Sequence, residues 1–170
     1  MRIFYSDGSC PDNGKNMACG GWCAVEVSDQ PKIEDQNLID TNSGYEIPNE
    51  FLPNTSIRME LLGAIAALSI PKEPSKVLFH SDSAYVINGI TQKWYRNWFR
   101  TGKNSLGKTP ANLDLWTRLV KLIEFHGEAN ITARHVKGHK GHRWQELCDS
   151  IAVQRSAEAK SKYAGGERRK

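Results

Sequence analysis

No stretch of this 170-residue chain approaches the ~18 consecutive apolar residues that a membrane-spanning helix requires. The start, Met1-Arg2-Ile3-Phe4-Tyr5, lacks the charged opening, apolar stretch and small-residue cleavage site of a secretory leader, so the chain is expected to stay inside the cell, in the cytoplasm. Cysteine is scarce. Cys10, Cys19, Cys23 and Cys148 form no C-x-x-C and match no common zinc module, and they are expected to be reduced, structural thiols. Acid is missing altogether from residues 91–110, which hold Lys93, Arg96, Arg100, Lys103 and Lys108. A second cationic run, Lys160, Lys162, Arg168, Arg169 and Lys170 against Glu167, closes the chain and reads as a frayed basic tail over 161–170. The formal net charge of +4 suits a polyanionic partner.

What is present is enough for one core and short for two domains, at 39% hydrophobic residues. Apolar alternation predicts strands over Arg2–Asp7 and Gly21–Ser28, joined as a hairpin. The polar segment 29–55 predicts one or two short strands, around Gln36–Thr41 and Gly44–Ile47. Ser56–Ile70 has the spacing of a helix, with Ile57, Leu61, Ala64, Ile65 and Leu68 on one face. Lys76–Asp82 reads as a buried parallel strand, and Ser83 as the cap of a short helix. A basic, aromatic helix over Gln92–Arg100, an amphipathic helix over Asn112–His126, a strand over Asn130–Val136 and a last helix over Arg143–Lys162 follow. Helices alternating with strands after an antiparallel start give an α/β domain on one mixed sheet, with residues 1–160 as its body.

Four carboxylates stand out against that pattern. Asp7 and Asp82 end strand-like runs, Glu60 falls on the apolar stripe of a helix, and Asp149 sits within the last helix. Acids are rarely set against a core unless paired or bound to a metal, and no set of cations accompanies these four. Two Mg²⁺ ions held about 4 Å apart by carboxylates would clamp both oxygens of an in-line phosphoryl displacement. A competing motif is a decoy. Gly102-Lys103-Asn104-Ser105-Leu106-Gly107-Lys108-Thr109 matches a nucleotide-binding P-loop letter by letter, but no strand precedes it and Pro110 follows where the helix should open.

The motifs Asp7-Gly8-Ser9-Cys10, Arg58-Met59-Glu60-Leu61, Asp82-Ser83, Val136-Lys137-Gly138-His139-Lys140-Gly141-His142 and Cys148-Asp149 occur in the order and approximate spacing of type 1 ribonuclease H. Gly89-Ile90-Thr91-Gln92 with Trp94, Asn97 and Trp98, then Asp114-Leu115-Trp116, resembles the bacterial members that carry a basic protrusion. The resemblance runs from Arg2 to about Ala157. It implies the ribonuclease H-like fold, with a mixed five-stranded sheet flanked by helices, and cleavage of the RNA strand of an RNA–DNA hybrid to 5′-phosphate and 3′-hydroxyl ends. It implies Asp7, Glu60, Asp82 and Asp149 as ligands of two Mg²⁺ ions, or Mn²⁺ in their place, and His139 as a mobile catalytic histidine. A zinc site from His135, His139 and His142 is a weaker alternative, because the strand would turn His135 away.

Telling RNA from DNA requires contact with the 2′-hydroxyl across a wide minor groove. The family makes such contacts partly through the turn after the first strand and around the glutamate, which nominates Cys10, Asn13 and Thr55. Trp94, Arg96, Trp98, Arg100 and Lys103 combine rings and cations suited to a phosphate backbone, or else the rings pack inward and hold the cations outward. Ile57 and Ala84 stand where relatives often carry Asn and Gln, and segment 29–55 is longer than in compact bacterial forms. The rival readings are a hybrid-binding module without catalysis, a DNA-cutting relative on the same fold, and a domain of a reverse transcriptase. Nothing in the sequence suggests an obligate protein partner or more than a monomer.

Overall fold

Strand β1 (Arg2–Ser9) organises the molecule, because it pairs on both sides. It runs antiparallel to β2 (Gly20–Val27) and parallel to β4 (Val77–Ser81). β3 (Leu38–Glu46) extends the antiparallel side and β5 (Ile131–His135) the parallel side, giving the order β3-β2-β1-β4-β5. The computed structural model describes residues 1–137 and 141–169, so residues 138–140 of the Val136–His142 motif lie outside the described residues. The mixed five-stranded sheet agrees with the expected architecture.

Helix α1 (Ser56–Ser69) covers one face. It is buried on nearly every side from Leu61 to Leu68, because the sheet lies beneath it and α4 (Leu113–His126) packs outside it. Phe4, Phe79, Met59, Trp116 and Leu119 join there in one core. Ile57, expected on the inner face, is 38% exposed, while Met59 in the same turn is the residue buried against β1. Helix α5 (Arg143–Ala164) covers the other face, with Trp144, Cys148 and Ala152 against Ile3, Tyr5 and Val25. Two short helices, α2 (Ala84–Thr91) and α3 (Trp94–Thr101), follow β4. Ser83 caps α2 as expected, its hydroxyl accepting the Val86 N–H at 3.3 Å.

Three expectations need correction. Segment 36–47, expected to hold one or two short strands, holds a single strand of nine residues, β3. β1 continues through Gly8 and Ser9 beyond Asp7, because β2 pairs with it there. The chain end is docked rather than frayed: Tyr45 donates its hydroxyl to Glu167, and Arg169 reaches the Glu46 carboxylate at 2.9 Å and the Ile47 carbonyl at 3.0 Å. All four cysteines are buried free thiols. Among the described residues no helix is long and apolar enough to cross a membrane.

Candidate active site

The parallel pairing of β1 with β4 sets Ser6 opposite Ser81, so the residues that follow them, Asp7 and Asp82, emerge side by side. Glu60 arrives from α1, in the second turn of a helix started by two caps. Thr55 accepts the Arg58 N–H at 3.1 Å, and Asn13 from the β1–β2 turn accepts the Ser56 N–H at 2.7 Å. Gly8 makes the approach possible: a Cβ there would lie 2.3 Å from the Met59 carbonyl carbon and 2.4 Å from the Glu60 nitrogen. The result is a set of carboxylate oxygens, one each from Asp7, Glu60 and Asp82, all within 4.8 Å of one another. Asp149, half-buried on α5, stands outside that tight group yet close enough to raise the Asp7 pKa.

Such crowding is electrostatically costly. Two like charges 4 Å apart repel by about 4 kcal/mol at an effective dielectric near 20. Asp7 is 4% exposed, and burial, then Asp82, pushes its carboxyl up to about 8 against the pull of the Gly8 N–H, with Asp149 and Glu60 adding to the rise. Burial also raises Glu60, opposed by a hydrogen bond with Ser83 and reinforced by Asp82. Behind the cluster Tyr5 stacks on His80 with centroids 4.3 Å apart, and burial holds that imidazole near pKa 4, hence neutral at physiological pH. An all-oxygen donor set whose members repel one another fits a hard divalent cation, which turns the repulsion into ligation.

The chain's residues 1–157 match the family model RNase H. The chain belongs to the RNase H family. It is similar to the ribonuclease H of Chlorobaculum parvum, 37% identical over 151 residues that span 88% of this chain and 90% of that protein. The ribonuclease H of Mannheimia succiniciproducens is 48% identical over 152 residues, 89% of this chain and 84% of that one. A crystal structure of a type 1 RNase H with the type 2 active-site motif superposes with a TM-score of 0.73 at 27% identity, covering 93% of this chain and 72% of that chain. The RNase H family uses divalent metal ions, in keeping with the acidic cluster found here.

The remaining nominated residues of this RNase H chain fall into three groups. His139 lies outside the described residues. Asn13 and Thr55 meet at the α1 N-terminus, while Cys10 is 6% exposed, its thiol turned inward. The third group is α3. Trp94 and Trp98 pack with Tyr85 and Trp116 in a ring cluster, centroids 5.5–6.1 Å apart, leaving Arg100 and Lys103 exposed. Arg96 is different: it and Lys93 both pair with Glu128, which also accepts the Tyr95 hydroxyl at 2.8 Å.

Sequence reasoning missed Glu128, the Ser83–Glu60 link, and the fork by which Arg58 grips Asp114 at 2.7 and 2.9 Å, tying the glutamate helix to α4. Each joins residues far apart in the chain, and no local spacing announces it. The His135 ring also donates Nε2–H to the Asp82 carbonyl at 3.0 Å.

Proposed function

We propose that this chain is an endonuclease hydrolysing the RNA strand of RNA–DNA hybrids, leaving 5′-phosphate and 3′-hydroxyl ends. One observation carries the reading: Asp7, Glu60 and Asp82 converge within 4.8 Å in a chain matched almost end to end by the RNase H family. In this reading Asp7, Glu60, Asp82 and Asp149 hold two Mg²⁺ ions, or Mn²⁺ as a substitute. Bound ions of this kind supply a water of lowered pKa and charge stabilisation at the phosphorus and the leaving 3′-oxygen.

The chain's own groups do the positioning. Ser83 holds Glu60 by a hydrogen bond, and the Gly8 N–H fixes one oxygen of Asp7 at 2.8 Å. His139 serves as the proton carrier. Asn13, Thr55 and the backbone at Cys10 form the seam that meets the 2′-hydroxyl side of the minor groove. Helix α3 is the basic protrusion, its tryptophans forming a shelf from which Arg100 and Lys103 reach phosphates. The enzyme works as a monomer in the cytoplasm, without an obligate protein partner, residues 1–160 forming its catalytic body.

The test is a gel assay on end-labelled hybrid, beside DNA–DNA and RNA–RNA duplexes, with Mg²⁺ or EDTA. Wild type should cut RNA in the hybrid alone, and EDTA or Asp82→Asn should stop it. Hybrid that is bound but never cut in Mg²⁺ or Mn²⁺ would make the chain a binding module.

A further inference from the structure

The β1–β2 turn and the segment before α1 are stitched into one unit. Asn54, 3% exposed, donates its side-chain amide to the Ala18 and Ile47 carbonyls, both at 2.9 Å, while the Gly14 N–H reaches the Asn54 carbonyl. One end of this unit is the Asn13–Thr55 seam. The other end, through Met17 and Pro48, floors a groove of about 380 Å³ whose far wall is the C-terminal turn of α5, with Lys160, Tyr163 and Arg168.

The charge in this groove is one-sided. Two cations and no acid line it. Arg168 spends its hydrogen bonds on the Tyr163 and Glu167 carbonyls and lies over the Tyr163 ring at 4.1 Å, so its charge is not neutralised. Of the acids near it, Glu46 pairs with Arg169 and Glu158 with Arg155, while Glu167 accepts the Tyr45 hydroxyl and Asp12 lies near Cys19 without lining the groove. Glu50 lines only the adjoining hollow of about 210 Å³, where Phe51 stands 94% exposed. A cation held over an aromatic ring, with a second cation beside it, suits a sugar–phosphate strand.

We propose that this groove is a second nucleic-acid contact, which takes the backbone of the hybrid where the duplex runs beyond the Asn13–Thr55 seam, away from α3. It rests on the function proposed above. The substrate is then gripped on two sides of the acidic cleft, by α3 on one and by the end of α5 on the other.

Anisotropy of a labelled hybrid in EDTA, titrated across KCl, tests this with wild type, Lys160→Ala/Arg168→Ala, Arg168→Lys and Arg100→Ala/Lys103→Ala. The groove double variant should bind several-fold more weakly and lower the log–log salt slope by ~1.4–1.8, about 0.7–0.9 per phosphate contact, while Arg168→Lys keeps the wild-type slope. If Arg168→Ala frays the helix end and lowers the melting temperature, Lys160→Ala alone, with a drop of ~0.7–0.9, carries the test. A slope unchanged by both groove variants, while the α3 variant flattens it, overturns the groove and leaves the enzyme reading standing. A wild-type chain that neither binds nor cuts hybrid defeats both.

Discussion

Asp7, Glu60 and Asp82 crowd their oxygens within 4.8 Å of one another, whereas Arg100 and Lys103 stand apart in solvent on α3 and the loop behind it. Both regions concentrate charge of one sign, and they handle it differently. In the acidic cleft, three elements are forced together through a glycine contact, and the strain is held by a core that allows no retreat. On α3 the surplus is partly offset: Lys93 and Arg96 share the single acid Glu128, and Trp94 and Trp98 pack the helix against Trp116. A site that must bind a small dense cation needs like charges pressed together. A surface that lies along a polyanion needs spaced cations on a firm support.

The largest expected contrast is in cleavage. Glu60→Gln should cut the initial rate on labelled hybrid by about three orders of magnitude or more, since several kcal/mol of charge stabilisation disappear. Arg100→Ala should cost less than about tenfold at low salt. Equal losses would break the comparison. Next comes the packing that enforces the crowding. Gly8→Ala should destabilise the fold by ~1–3 kcal/mol in denaturant melts, because the added methyl meets main chain rather than a flexible side chain.

The electrostatic strain itself can be read from pH. The Asp7 carboxyl titrates near 8 in the folded state against a reference of 3.8, so the folded chain holds that proton more tightly than the unfolded one. Its contribution is therefore fully present below about pH 4 and is lost as pH rises through 8. In EDTA the wild-type melting temperature should fall between pH 5 and 9 relative to Asp7→Asn, and Mg²⁺ should restore it at pH 8. Parallel curves for the two proteins would mean that Asp7 is not strained. The smallest effect is on salt dependence. Arg100→Ala/Lys103→Ala should lower the hybrid-binding slope by ~1.4–1.8, while Arg96→Ala, whose guanidinium shares Glu128 with Lys93, should lower it by less than ~0.7.

Much of this was legible from local pattern. The strands ending near Asp7 and Asp82, the α1 helix and the alternation that gives a mixed sheet all follow from periodicity that the core enforces. β3 was read only as one or two short strands because it is an edge strand: Leu38 and Ile39 are 48% and 59% exposed, so no alternation of burial marks it. Ile57 was placed inside because its spacing fits, but in the first turn of α1 it is Met59 that is buried. Arg96 was assigned to the nucleic-acid surface because no acid lies near it in sequence. Glu128 reaches it only through the fold, as Glu46 does Arg169 at the chain end.

The Ser6–Ser81 register has a further consequence, which concerns time. A parallel pair cannot close through a hairpin, and β1 meets β4 only after the β-meander and α1 have been threaded between them. Contacts of such long sequence separation form late and slowly. Asp7 and Asp82 are adjacent only once that ladder has zipped in register, so under the proposed function an ion that needs both would be taken up only then. Metal uptake during refolding would then serve as a clock for the closing of the central ladder.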